Sequence, residues 1–389
     1  MLFQKSITAC TRLEAIRKNR FLNKLFTNKN NYDNINTERK VTTMFEKNLK
    51  YYRLKKNMSM KDLAEACGLT SMAISNYESG KRQPDIDTIN CLAKALGVNV
   101  VDFLASRNTN LVFQHCEYRK HSSLTKAQQK YIQESVEEYF SRFFDAVECL
   151  GGDPLPEAPK CHTIKRSGNS EKDAVKLREF LGIQEDGPID ELIGILENKG
   201  IMVIELDIDN DHFFGMNGFV NGYPYIVINK NMRAERKRTT ILHEAAHLVF
   251  IWDSSKEKEN EDEATAIAGA ALIPAKDLLR ELGPRKSALT KDMVLVCKEY
   301  GISMYLLVKR ASINGIISDY VEKDFYIKAN KANWKKTEPN RVRNPEEPML
   351  LKQLVYRAVN EEGISLQRGA ELLRIPVSEM EEFCGLMEV

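Results

Sequence analysis

The sequence lacks three features that would place it in a specialised class of protein. Its eight cysteines are scattered with no CxxC pair among them, which argues against a cysteine-rich zinc ribbon and a disulfide framework. It has no apolar run near the roughly 18 residues that a membrane-spanning helix needs. Its net charge of +2 is close to neutral, so any binding of nucleic acid must depend on a local patch. These absences predict a soluble, cytoplasmic protein with reduced thiols.

The chain is long enough for two or three domains and has the composition of a globular protein. It has 389 residues, of which 43% are hydrophobic and 29% are charged. Residues 1–43 are rich in Lys, Arg and Asn, a composition found in transit peptides and in basic arms that bind nucleic acid. The polar run TNKNNYDNINT favours a disordered extension instead. A regular helical pattern begins at Met44.

Residues 44–106 contain short helical patterns with clear boundaries. Ser59 is a predicted N-cap for MKDLAEAC, Gly68 supplies a tight turn, and Thr70 or Ser71 precedes MAISNYES as a second cap. Five short helices with a glycine turn between the second and the third are the layout of a helix-turn-helix domain. The predicted core residues are Leu63, Ala64, Ile74 and Leu92.

The segment MKDLAEACGLTSMAISNYESGKRQPDIDTINCLAKALGV resembles the helix-turn-helix of Xre/Cro-type repressors. The resemblance implies that a homodimer binds double-stranded operator DNA, with the free face of helix 70–79 in the major groove. The predicted DNA-binding residues are Thr70, Ser71, Met72, Ser75, Asn76, Lys81 and Arg82. Met60 departs from the glutamine common in the family, and the recognition face has no Arg or Gln. A helical domain that binds another protein is the alternative.

The stretch TILHEAAHLVF, residues 240–250, has the spacing of a zinc-peptidase motif. Residues four apart share one face of a helix, so His243 and His247 can bind one ion. Glu244 can then accept a proton from a water that attacks a carbonyl. For the motif alone, the alternative to a zinc site is two histidines whose ring nitrogens are hydrogen-bonded within the core. The helix is apolar almost all round, however, and such a helix rarely carries His, Glu and His without partners.

The next helical pattern, EKENEDEATAIAGAALIP, opens with acids that could supply a third ligand. Glu263 lies at the edge of the buried stripe of this pattern and is predicted to be that ligand, with Glu259 as the alternative. The other early acids are expected to be solvated and to favour the helix N-terminus.

RKRTTILHEAAHLVF followed by EDEATAIAGAALIP resembles the ImmA/IrrE family of zinc metallopeptidases. The resemblance implies a zincin-like domain in which His243, His247 and Glu263 hold Zn²⁺ and Glu244 is the catalytic base. It implies a regulator that cleaves a protein, such as a repressor or an antitoxin. The alternative is a transcription factor whose peptidase-like domain senses a metal or a small ligand without turnover.

The expected fold class is α+β and predominantly helical, with a small sheet beside the HExxH helix. Strands are predicted over 201–206 and 225–229, and the glycines between them suggest hairpin turns. Helices are predicted over 125–149, 233–252 and 257–282. The predicted segments are 1–43 (extension), 44–106 (helix-turn-helix), 107–160 (linker and long helix), 161–335 (metallopeptidase domain) and 345–389 (C-terminal helical unit).

Overall fold

The structure, a computed structural model, describes most of the chain after the basic N-terminal stretch. The described residues are 34–105, 107–108, 110–115, 124–151, 153–210, 212–334 and 345–385. The predicted extension therefore lies outside the described residues up to position 33. Helix α1 (Asn34–Lys55) begins before Met44, where the sequence pattern predicted its start. The chain divides after Arg107 into two compact units. Within the described ranges, no helix combines the length and apolarity needed to cross a membrane.

The first unit is a bundle of short helices, as the sequence predicts. After α1 come α2 (Met60–Ala66), α3 (Ser71–Glu78), α4 (Ile86–Leu96) and a 3-10 helix (Val100–Leu104). Ser59 caps α2 in a reciprocal capping box with Asp62, and Thr70 caps α3 by accepting a hydrogen bond from the Ala73 N–H. The boundaries of α2 and α3 are therefore set by the predicted polar caps.

A buried ion pair fixes α3 within this unit. The Arg53 guanidinium of α1 donates two hydrogen bonds to the Glu78 carboxylate at the end of α3, one of them 2.9 Å long between Nη2 and Oε2. Such a bidentate pair restrains orientation as well as distance. The predicted core residues Leu63, Ala64, Ile74 and Leu92 are all buried. The opposite, exposed face of α3 is thus held in a defined orientation.

The second unit combines many helices with small sheets. Its strands are β1 (Phe113–His115), β2 (Ile164–Lys165), β3 (Met202–Leu206), β4 (Gly215–Val220), β5 (Tyr223–Asn229) and β6 (Phe250–Ile251). Its helices are α5 (Lys126–Leu150), α6 (Ser170–Leu181), α7 (Leu192–Asn198), α8 (Ala234–Val249), α9 (Glu257–Leu272), α10 (Ala275–Leu282), α11 (Met293–Tyr300), α12 (Met304–Ile313), α13 (Asp319–Lys331), α14 (Leu350–Asn360), α15 (Leu366–Leu373) and α16 (Val377–Cys384). The prediction of one helix over 257–282 was wrong, because Pro274 separates α9 from α10.

The main sheet has the strand order β1-β4-β5-β3. Strands β3 and β5 coincide with the two predicted apolar runs and pair in parallel, whereas β4 and β5 form an antiparallel hairpin. The hairpin turns at Asn221 and Gly222, which both have positive φ, as a two-residue turn of this type requires. The stretch whose glycines predicted only turns is therefore itself a strand, β4. Strand β1 lies within the segment 107–160, which was predicted to be a linker and a long helix.

Two hydrophobic cores lie on opposite faces of this sheet. Helix α8 packs against β4, β5 and α9, and its apolar residues belong to the larger core. The other face of the sheet is covered by α5 and by the C-terminal helices, whose Leu354, Ala370 and Met380 are buried there. Helix α8, with the HExxH motif, is consequently held between the sheet and α9.

Candidate metal centre and nucleic-acid interface

The apolar pattern of α8 determines where its polar side chains can emerge. Ala245, Ala246 and Leu248 are completely buried, so the helix presents His243, Glu244 and His247 at the margin of the core. His247 and Glu244 are themselves buried, and His243 is half-buried. A buried polar group needs a partner, because burial removes its hydrogen bonds to water. The partners of these three residues define the candidate site.

The two histidines share one carboxylate, that of Glu261 on α9. The His243 Nε2 atom lies 3.1 Å from Glu261 Oε2, and the His247 Nε2 atom lies 3.2 Å from Glu261 Oε1. The two Nε2 atoms are 3.2 Å apart. Ligand atoms at about 2.0–2.1 Å from a tetrahedral zinc ion lie roughly 3.3 Å from one another. The donor types and their spacing therefore fit a zinc ion bound by two histidines and one carboxylate.

The structure replaces Glu263 by Glu261 in the candidate ligand set. Residues two apart on a helix point about 200° away from each other, so the two carboxylates of α9 diverge. Glu263 forms an ion pair with Arg166. The alternative ligand Glu259 is mostly exposed and pairs with Lys256 at 3.2 Å. Glu261 belongs instead to the acids that were expected to be solvated.

A second layer of contacts orients the two imidazoles. The Thr265 hydroxyl oxygen lies 2.9 Å from the Glu261 carbonyl oxygen, to which it donates, and 3.1 Å from His243 Nδ1. Because that hydroxyl hydrogen is already used, Nδ1 is the donor, and Nε2 of His243 keeps its lone pair for a metal. The Trp252 ring lies 4.9 Å from the His247 ring, centroid to centroid, and its Nε1–H donates to the Ala246 carbonyl oxygen.

The candidate base, Glu244, is held by strand β4. The Asn217 side-chain amide donates a hydrogen bond of 2.7 Å to Glu244 Oε2. Gly215 on the same strand permits the close approach of β4 to α8, because a Cβ there would lie 2.6 Å from Cγ2 of Thr240 and 2.9 Å from the Val227 carbonyl oxygen. Glu244 thus has one fixed carboxylate oxygen, and Oε1 is the oxygen that Asn217 does not bind.

The predicted DNA-binding residues cluster on and after α3. Thr70, Ser71, Met72, Lys81 and Arg82 are exposed, with Met72 68% exposed, whereas Ser75 and Asn76 are half-buried. The Asn76 carbonyl oxygen accepts hydrogen bonds from the Lys81 and Arg82 N–H groups, which ties the basic pair to the end of α3. Thr70 is also the cap of α3, so its hydroxyl has a structural role in addition. The surface combines polar side chains with nearby cations, as DNA contacts require.

Comparison with known families finds a match in each of the two units. Residues 49–103 match the model of the helix-turn-helix family, and residues 196–312 match the model of the IrrE N-terminal-like domain, a peptidase family. The second match includes β4, α8 and α9, and so contains every residue of the candidate centre. The chain carries both domains. Residues 49–103 are its helix-turn-helix domain, and residues 196–312 are its IrrE-like domain.

The similar proteins in the curated collection are transcriptional regulators. The chain is 34% identical over 71 residues to the uncharacterized HTH-type transcriptional regulator YqaE of Bacillus subtilis, which is 18% of this chain and 61% of that protein. It is 39% identical over 61 residues to the SPbeta prophage-derived uncharacterized HTH-type transcriptional regulator YonR of the same organism, 16% of this chain and 56% of that one. The chain therefore spans somewhat more than half of each relative.

The IrrE-like domain and its surroundings also contain a small cavity away from the histidines. Its volume is about 230 Å³. The polar and charged residues that line it are Glu171, Lys172, Arg178, Glu185, Asp186 and Lys276. None of them belongs to the candidate metal centre, so the two features are chemically separate.

Proposed function

We propose that the chain is a DNA-binding transcriptional regulator whose IrrE-like domain is a zinc-dependent endopeptidase. The observation that carries the proposal is the cluster of His243, His247 and Glu261, whose ligand atoms are 3.1–3.2 Å apart, next to the buried carboxylate of Glu244. A structural zinc site is closed by four protein ligands, whereas a catalytic site has three and leaves a position open. Three ligands beside a carboxylate correspond to the catalytic type.

The chain's own residues account for the proton transfers of peptide hydrolysis. Zinc held by His243, His247 and Glu261 would polarise the scissile carbonyl and lower the pKa of a water molecule. Glu244 accepts the proton of that water at Oε1 while the hydroxide adds to the carbonyl carbon. The same carboxyl group then delivers the proton to the departing amine nitrogen as the C–N bond breaks. Asn217 holds Oε2 of Glu244 throughout and so restricts rotation of the base.

The proposed substrate is a regulatory protein, such as a repressor or an antitoxin, and the proposed partner of the first domain is operator DNA, bound by a homodimer. The exposed face of α3 and the adjacent Lys81 and Arg82 support the DNA-binding part. The names of the two Bacillus relatives, both HTH-type transcriptional regulators, support it as well. A peptidase in the same chain as such a domain is well placed to act on proteins that control transcription.

A comparison of new protein N-termini tests the endopeptidase. Zinc-loaded wild-type protein and the Glu244→Gln variant are each incubated with a total extract of the source cells, and new N-termini are identified by mass spectrometry. We expect cleavage products with the wild type and none with the variant at equal zinc content, because the amide cannot accept the proton. No new termini with either protein, or equal cleavage by both, would sink the proposal.

Sensing without turnover is the second candidate function, and the cavity of about 230 Å³ favours it, because a cavity with mainly apolar walls and a few charged side chains can hold a small ligand. In that case operator binding changes with a chelator or with a ligand of the cavity, and Glu244→Gln changes nothing. Lys276→Ala, at the cavity, then alters the response, whereas under the endopeptidase proposal it does not.

A further inference from the structure

Strand β4 is the part of the sheet nearest to the candidate base. Asn217 on β4 hydrogen-bonds Glu244, and Gly215 lies against Thr240 on the same helix. One edge of β4 pairs with β5, so the other edge is the one available to an added strand. An extended peptide can join such an edge through main-chain hydrogen bonds, and alternate side chains then set the specificity.

A segment of the chain already occupies that edge. Strand β1 pairs antiparallel with β4, with Phe113 opposite Val220, Gln114 opposite Phe219 and His115 opposite Gly218. The pairing extends backwards, since the Asn221 N–H donates to the Val112 carbonyl oxygen and the Val112 N–H donates to Asn221 Oδ1, both at 2.9 Å.

The position of this pairing relative to the candidate base is specific. The paired run of β1 ends opposite Gly218. The residue that precedes Gly218 is Asn217, which hydrogen-bonds Glu244. A peptide that lay along β4 to reach Glu244 would need the same main-chain donors and acceptors. Strand β1 and an extended substrate therefore exclude each other along this edge.

The contacts of β1 are few enough to be displaced. The strand is only three residues long, and it pairs with the sheet along one side only. Gln114 is exposed, and Val112 is 65% exposed. Phe113 packs against the core beside α5, and its ring lies 6.2 Å from the Phe140 ring, centroid to centroid. An occupant with an apolar residue at this position could make the same contact.

We propose that residues 112–115 are an internal competitor that blocks the outer edge of β4 against an extended protein substrate. The identity of the occupant as a substrate rests on the proposed endopeptidase. The preferred segment is an unfolded or extended stretch of protein that places an aromatic or aliphatic side chain where Phe113 lies. Release of residues 112–115 opens the edge.

A Gln114→Pro variant tests whether residues 112–115 compete with a bound peptide for the outer edge of β4. Because the Asn221–Val112 pair is hydrogen-bonded, the alternation of an antiparallel ladder makes Gln114 and Phe219 the next hydrogen-bonded pair. Gln114→Pro removes the N–H of that pair while its side chain is exposed, and so weakens β1 with little effect on the core. Gln114→Ala keeps the N–H and is the matched control.

The binding probe is a fluorescein-labelled synthetic peptide of residues 110–115, NLVFQH, measured by anisotropy with zinc-free, full-length protein. We expect the Gln114→Pro protein to bind it at least about tenfold more tightly than the wild type or Gln114→Ala, because an attached competitor acts at roughly millimolar effective concentration. The peptide NLVFPH should not bind. Equal affinity of all three proteins for NLVFQH would overturn the proposal.

A second variant and a second readout complete the test. If thermal melting shows that Gln114→Pro does not fold, Phe113→Ala decides in the same assay, since it removes the ring contact with Phe140 and leaves the backbone intact. Binding does not require turnover. Tighter peptide binding without any cleavage supports the edge site and contradicts the endopeptidase, whereas cleavage at equal rates by wild type and the Gln114→Pro variant contradicts only the internal competitor.

Discussion

Asn217 and Glu244 form a hydrogen bond of 2.7 Å that joins strand β4 to helix α8. Both residues are buried, so water competes little for the contact. The amide of Asn217 donates to one carboxylate oxygen only and thereby fixes the rotation of the carboxyl plane. The strand that would receive a substrate and the base that would act on it are consequently connected by one side-chain contact.

Replacement of Asn217 by alanine should lower the rate of peptide cleavage and leave zinc binding intact. A hydrogen bond to a charged group contributes about 1.5–3 kcal/mol, which corresponds to roughly a 10- to 100-fold fall in kcat. The rate is measured on a cleaved protein identified by the N-terminal comparison, together with zinc content. Asn231→Ala, which removes an amide bound to Asp207, is the control. Loss of zinc from Asn217→Ala would mean that Asn217 supports the ligands rather than the base.

The two neighbouring carboxylates of α9 should differ sharply in their effect on zinc. Glu261→Gln removes the carboxylate shared by the histidines and should lower zinc affinity by more than the ~10–100-fold expected for an outer contact. Glu263→Gln removes only an ion pair with Arg166 and should retain the metal. Zinc per protein is measured by atomic emission after dialysis against a weak chelator. The reverse ranking would restore Glu263 as the ligand.

Glu261 shows where prediction from the sequence ended. The helix caps, the two apolar strands and the position of His243 and His247 on one face of a helix were predictable, because each depends on residues close together in the chain. The identity of the candidate third ligand depends on the rotation of α9 about its axis, which is set by the packing of α9 against α6 and α8. The sequence pattern placed Glu263 at the edge of the buried stripe. In the structure its carboxylate forms an ion pair with Arg166, which is far away in the sequence.

Strand β4 was missed for a related reason. Its glycines predict turns, because glycine is unfavourable inside strands. Gly215 is there because a Cβ would collide with α8, a fact that only the packed structure contains. Because β4 was not predicted, the hydrogen bond from Asn217 on this strand to Glu244 was not predicted either. The Asn221–Gly222 pair was the available signal, since this dipeptide between apolar stretches indicates a hairpin.

Thr265 should control the zinc affinity of His243 without touching the metal. Thr265→Val removes the acceptor of the His243 Nδ1–H and should weaken zinc binding by about 10–100-fold. Thr265→Ser keeps the hydroxyl and should bind zinc like the wild type. Competition with a chromophoric chelator gives both affinities. If valine and serine behave alike, the imidazole is oriented by other contacts.

The basic pair after α3 should govern the salt dependence of DNA binding. Each lost phosphate contact reduces the slope of log affinity against log salt by about 1, so Lys81→Ala with Arg82→Ala should reduce it by about 2 on any duplex. Asn76→Ala should weaken binding to the operator more than to unrelated DNA. Lys94→Ala, an exposed cation on α4, is the matched control. An unchanged slope in the double variant would place the DNA on another surface.

Glu197 on α7 should make the second unit less stable as the pH rises. Its carboxylate accepts hydrogen bonds of 3.2 Å from the Met349 and Leu350 N–H groups at the start of α14. Burial nevertheless raises the pKa of Glu197 from 4.5 to about 7. A carboxyl group with a raised folded-state pKa binds more protons in the folded than in the unfolded chain between these two values. Its stabilising effect is therefore complete below about pH 4.5 and lost as the pH rises through about 7.

Glu197→Gln should remove this dependence, because the amide stays neutral and its oxygen can still accept the two N–H groups. The wild-type free energy of unfolding should fall between pH 5 and pH 8 relative to the variant by an amount on the order of 3 kcal/mol. Tryptophan fluorescence during urea unfolding follows the second unit alone, since Trp252 and Trp334 are the two tryptophans of the chain. Glu179→Gln, an exposed change on α6, is the control. Parallel pH curves for wild type and Glu197→Gln would show that Glu197 is ionised throughout this range, with the α14 N–H groups outweighing its burial.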